Sequence, residues 1–226
     1  MVSPLAYADD ILRRAPWTTQ SGATSQALPR LILNLTAFAF FYGAALGTFR
    51  LLAGEDEWLK QIFYSAVKVP LLLTCSFIIG LPSFFVLSTL LGLRRDFAES
   101  LRSLVAAQAG LAIVLASFAP LTLLWYASST NYNSALFFNG IMFAGASLAA
   151  QYLLREFYRP LIARNPRHRK LLFAWGAIYI AVAIQLAWLL RPFVGAPQAP
   201  VAFLRPDAWD NAYVVVARLA LRMIGW

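Results

Sequence analysis

Apolar residues in this chain gather into five long, nearly continuous runs separated by polar punctuation. The runs cover Leu31 to about Leu52, Val69 to Leu93, Leu104 to Ser128, Ser134 to Leu154, and Leu171 to Leu190. Each is close to the about 20 residues that a helix needs to cross a bilayer. None shows the period-two alternation over about ten residues that marks a barrel strand. Backbone groups in lipid must bond within their own segment, so the runs are predicted to be helices. The expected fold is an all-α polytopic membrane bundle of five transmembrane helices, residues 31–190.

The flanks follow other patterns. Ser3-Pro4 reads as a helix start, and Leu5, Ala8, Ile11 and Leu12 then recur at helical spacing. This predicts a short amphipathic helix on the membrane or the bundle, followed by a polar linker to residue 30. Asp9 and Asp10 precede Arg13 and Arg14 with no apolar run after them, which is not a secretory leader. Residues 191–226 form a Pro-rich loop and a second amphipathic segment. Asp207 to Trp226 is long enough to cross, but Arg218 and Arg222 lie in its second half. A central Arg costs about 2.5–3.5 kcal/mol on the insertion scale, so an interfacial helix is preferred to a sixth span.

Composition sharpens the picture. Of 226 residues, 60% are hydrophobic and 13% charged, against about 45–50% and about 25% in soluble domains. That excludes a soluble enzyme and a disordered chain. The net charge of +9 would suggest nucleic acid in a soluble domain; beside five spans it points to a phospholipid-facing basic side and to no nucleic acid. The charges are also sorted. Twelve of the 19 basic residues fall in the N-terminal region and the loops after spans two and four, and seven on the other side. The positive-inside rule then places the N-terminus in the cytoplasm and the C-terminus outside, in a bacterial inner membrane. Five of the seven Trp residues fall at or beyond outer span ends and Trp175 near the inner end of span five, as interfacial anchors.

Chemistry-bearing sets are scarce. One Cys and one His, far apart, exclude a zinc site built on them, and no paired carboxylates, nucleophile–base pair or phosphate loop is visible. No catalytic residue, metal or cofactor is therefore assigned. Glu55-Asp56-Glu57 is a solvated turn or a weak cation or partner site. The inner loop is the most charged feature: Arg155, Arg159, Arg164, Arg167, Arg169 and Lys170 would meet anionic headgroups or an acidic protein face, with His168 among them. Lys68 borders span two and must snorkel or pair, with Glu57 or a lipid phosphate as partner. With Gln108, Asn139 and Gln185 it could line an intramembrane polar path; Asn34, Thr74, Gln108, Asn139, Gln151 and Gln185 could equally bond between helices.

Small residues suggest tight crossings. Gly43 and Gly47 form a GxxxG, and Gly140 with Ala144 and Gly145 with Ala149 repeat the spacing. Gly80-Leu81-Pro82-Ser83 marks a candidate break inside span two, with Pro70 and Pro120 as further kink positions.

The stretches Tyr64–Leu73, Gly80–Phe85 and Phe118–Leu121 resemble the bacterial Yip1-like group of small multipass membrane proteins, mainly over residues 64–129. The resemblance implies about five spans, a cytosolic N-terminus and a non-enzymatic protein that organises partners or membrane. It supplies no catalytic residue. The expected function is a non-catalytic subunit or scaffold of a membrane complex. Its partners would be membrane lipids and other membrane subunits, or further copies of itself. The alternative is a small transporter or channel, or the membrane subunit of one.

Overall fold

A computed structural model describes residues 4–18, 26–197 and 199–204. The expected C-terminal amphipathic helix, Asp207 to Trp226, lies outside the described residues, as does most of the polar linker. Among the described residues all regular structure is helical: α1 (Pro4–Leu12), α2 (Ala27–Gly47), α3 (Phe49–Leu52), α4 (Trp58–Leu90), α5 (Phe97–Ser117), α6 (Ala119–Ser128), α7 (Tyr132–Arg164) and α8 (Arg167–Leu189). By length and composition these provide five helical segments able to cross a membrane, α2 with α3, α4, α5 with α6, α7 and α8. The protein is an all-α, multi-pass integral membrane protein.

The spans form an open arc in the packing order α8, α4, α2, α5, α7. The central helices are held by close approach. A Cβ on Gly43 would come within 2.9 Å of Ala66 Cα, and one on Gly47 within 2.9 Å of Ile62 N. Bare glycines therefore let α2 and α4 meet backbone to backbone, where dispersion and weak polar contacts substitute for the missing hydrophobic drive in lipid. The other small-residue pairs behave differently. A Cβ on Gly140 would touch nothing within 4 Å, Ala144 is exposed, Ala149 is half-buried, and Gly145 meets only the Phe118 ring at 3.6 Å.

Several boundaries move. Helix α4 begins at Trp58, eleven residues before the apolar run, and continues unbroken through Pro70 and Pro82, so the break expected at Gly80–Ser83 is absent. Proline is tolerated within such a helix where neighbouring helices hold it in place; Thr74 Oγ1 donates to Pro70 O at 2.7 Å, one turn on. The chain does break at Phe118, where Pro120 enters the first turn of α6 and its missing N–H would be unpaired anyway. Helix α7 runs ten residues past Leu154 to Arg164, and only Asn165 and Pro166 separate it from α8. The expected inner loop is thus mostly two helix ends. Asn131 starts α7 by accepting from Ser134 N at 3.0 Å.

Trp175 is not an anchor. It is 2% exposed and packs between Phe77, Phe84 and Tyr179, its ring over bare Gly80. Helix α1 turns Ala8 and Ile11 into the core beside α5, leaving Leu5 exposed.

Candidate functional site

Three features concentrate polar chemistry: the two ends of the bundle and a cleft between α7 and α8.

The end that carries the N-terminal helix, the α4–α5 turn and the α7–α8 turn is basic. Its acids are engaged. Arg164 grips Glu99 with two nitrogens, at 2.6 and 2.9 Å. Glu156 pairs with Arg14 and lies 3.8 Å from Arg159. Asp96 Oδ2 lies 3.1 Å from His168 Nε2, Asp9 takes Arg13 at 2.7 Å, and Asp10 accepts from Trp17 at 3.0 Å. His168 is fully buried, with Tyr158 edge-on to its ring, rather than exposed in a loop. It is drawn in because Asp96, on the neighbouring turn, gives its ring nitrogen a partner. Arg167 donates to Leu91 O at 3.3 Å. Once these bonds are made, Arg94, Arg95, Arg155, Arg169 and Lys170 stand exposed with no partner among the described residues. The six basic residues of the expected site therefore divide. Arg164 and Arg167 tie the turn to α5 and to the end of α4, Arg159 leans on Glu156 within α7, and Arg155, Arg169 and Lys170 face outward.

At the opposite end residues 191–197 and 199–204 fold back as a strap over α3, α4 and the start of α7. Polar side chains on the spans hold its carbonyls. Lys68 Nζ donates to Pro192 O at 2.7 Å and to Ala202 O at 3.5 Å, and lies 5.2 Å from the Phe203 ring. Arg50, 6% exposed, donates to Ala196 O and Ala199 O at 2.8 and 2.9 Å, and to Asp56 O at 3.1 Å. Gln61 and Ser65 both reach Phe193 O, and Tyr132 reaches Val194 O at 3.3 Å. The partner expected for Lys68 was Glu57 or a phosphate. Glu57 instead pairs with Lys60 at 3.3 Å, and Lys68 is sealed beneath backbone. Gln61, Ser65 and Lys68 follow each other at i, i+4, i+7, a polar stripe that signals a polar partner even without a structure.

The cleft lies where the arc fails to close. Helices α7 and α8 are consecutive but pack on α5 and α4 rather than on each other. Two neighbouring cavities of about 330 and 390 Å³ run between them and share Ser147, Tyr179 and Ile180. Gln108 lies in the first, bonded to Tyr179 Oη at 3.0 Å, beside Gln151; Asn139 lies in the second and donates to Tyr126 Oη. Of the four residues of the expected polar path, the cleft brings together Gln108 and Asn139. Lys68 is under the strap, and Gln185 is on α8 outside the lining of either cavity. The cleft was not visible in sequence because it depends on which spans pair.

Among the described residues no group of three or more His, Cys, Asp or Glu is placed to hold a metal ion. Comparison of the chain with protein families, curated proteins and solved structures finds no match.

Proposed function

We propose that this chain is a non-catalytic subunit or scaffold of a membrane protein complex, with its basic end at the cytoplasmic face. The observation that carries this reading is the arithmetic of that end. Among the described residues every acid there is engaged by a neighbour, while Arg94, Arg95, Arg155, Arg169 and Lys170 remain outward and unpaired. Such a surface attracts anionic headgroups or an acidic protein face, at about 1 kcal/mol per charge near a membrane. The buried polar groups, by contrast, are spent on architecture: Lys68 and Arg50 on the strap, His168 on the α4–α5 turn. The five-span plan and the resemblance to the Yip1-like group agree with an organising role.

Purification in mild detergent tests it. An assembly larger than one chain, dispersed by Arg155→Glu with Arg169→Glu, supports the proposal. A monodisperse lone chain counts against it.

Gln108 and Asn139 along one cleft favour a second reading, a small transporter or the membrane subunit of one. Flux into proteoliposomes should then fall in Gln108→Ala, and an unchanged flux removes that reading.

A further inference from the structure

The first cavity of the cleft, nearer the basic end, has the dimensions and chemistry of a single-lipid site. Its wall on α7 runs from Ala144 to Leu154, about 15 Å at 1.5 Å per residue. That is half the about 30 Å hydrocarbon thickness, the depth of one leaflet. Its lining is mainly apolar, and its volume of about 330 Å³ falls in the range of small-ligand pockets, about 300–1,000 Å³. Over the same 15 Å a helix about 10 Å across displaces roughly 1,200 Å³, more than three times the cavity, so an acyl chain seats to its full depth where a helix would lie across the opening. In a bilayer the medium beside it is acyl chain.

The mouth supplies the second half of the match. On α7 the lining positions 144, 148 and 151 continue at helical spacing to Arg155. On α8 the lining positions 180 and 176 continue through Phe173 to Arg169. Both arginines are exposed and without a partner among the described residues. Arg155 follows Leu153, which lies against Gly110, and so stands level with Gln108 and Tyr179 at the mouth; Arg169 is ten residues from Tyr179, about 15 Å farther toward the basic end. Gln151, partly exposed, lies one turn inside Arg155. A guanidinium binds two phosphate oxygens at once, so Arg155 suits a phosphodiester at the mouth, and Arg169 adds attraction for its negative charge from farther out.

We propose that this half of the cleft binds one anionic phospholipid, with an acyl chain between α7 and α8, its phosphate held by Arg155, and Arg169 attracting the headgroup from farther out. The inference rests on the reading of the basic end given above and adds a defined ligand to it. The full chain, stripped in detergent and titrated with dioleoylphosphatidylglycerol or dioleoylphosphatidylcholine, reports the first bound lipid by native mass spectrometry. Arg155→Ala with Arg169→Ala should weaken the first phosphatidylglycerol about 30-fold, two charges' worth at a membrane surface, and leave phosphatidylcholine unchanged. Arg94→Ala with Arg95→Ala, at the same end but away from the mouth, should stay within about twofold. Gly176→Leu fills the cavity at a position where a Cβ meets nothing within 4 Å, and should weaken both lipids at least tenfold.

If Gly176→Leu binds phosphatidylglycerol like the parent, the cleft is not the site, although a loss in the Arg155/Arg169 variant would still uphold the basic end. If neither arginine pair matters, the reading of the basic end fails as well. If Gly176→Leu alters the assembly state and not lipid binding, the cleft belongs to a protein helix and the lipid proposal is overturned.

Discussion

Replacing Lys68 with Met separates the two things a buried cation can do. In the structure its Nζ is sealed and bonds only backbone oxygens, Pro192 O at 2.7 Å and Ala202 O at 3.5 Å. Hydrogen bonds to a charged group contribute about 1.5–3 kcal/mol. Loss of these contacts should loosen the strap locally by that amount, which at 1.4 kcal/mol per tenfold is about 10- to 100-fold in opening. The span itself should suffer little, because Met fills similar space and removes a charge that was costly to bury. Limited chymotryptic cleavage in detergent reads both effects, since cutting through a local opening tracks its free energy. Cleavage after Phe203 should accelerate by that factor, with less change at Phe193, whose carbonyl Gln61 and Ser65 still hold. Helix α4 should be cut no faster than in the parent. Unchanged cleavage after Phe203 would refute the clamp, and faster cutting throughout α4 would show that Lys68 supports the span rather than the strap.

Other consequences are distributed through the bundle. Gly47→Val should destabilise the protein by about 1–3 kcal/mol in detergent unfolding, because its Cβ meets backbone, while Gly140→Leu should be near neutral. Trp175→Ala should cost about 3 kcal/mol, at the low end for core Trp because the unfolded reference is itself in lipid; Trp58→Ala should cost under about 0.5 kcal/mol. Arg164→Ala should cost about 1 kcal/mol, since the Arg164 side chain is more than half exposed, and the loss should shrink in high salt. Reporters inserted after Asn165 and after Leu204 should label opposite sides of the membrane, the first cytoplasmic; both on one side would contradict the five-span topology.

The number of spans was legible because the apolar runs are long and the medium allows few alternatives. Their ends were less so, for one physical reason. Where a helix continues past its apolar stretch, polar residues on it are met by protein rather than lipid, and hydropathy cannot see the partner. Helix α4 shows this at Gln61, Ser65 and Lys68, covered by the strap, and α7 at Glu156 and Arg164, paired with Arg14 just after α1 and with Glu99 on α5. Pro82 misled in the opposite sense, because local rules for proline are written for water-exposed helices. Gly43 and Gly47 lie at a packed crossing, whereas Gly140 and Ala144 share the spacing and line an open cleft. The motif states what a helix permits, and the pairing of spans decides where it is used. At the basic end the residue types were legible and their division was not: whether an arginine is spent on the fold depends on acids 60 residues or more away, as with Arg164 and Glu99.

The central claim is that this chain works by assembling with others through its basic end. The most direct measurement is the mass of the full chain extracted in mild detergent, taken alongside the Arg155→Glu/Arg169→Glu variant. The account predicts a species larger than one chain for the parent and a shift toward the single chain for the variant. A parent that is already a monodisperse single chain would contradict it.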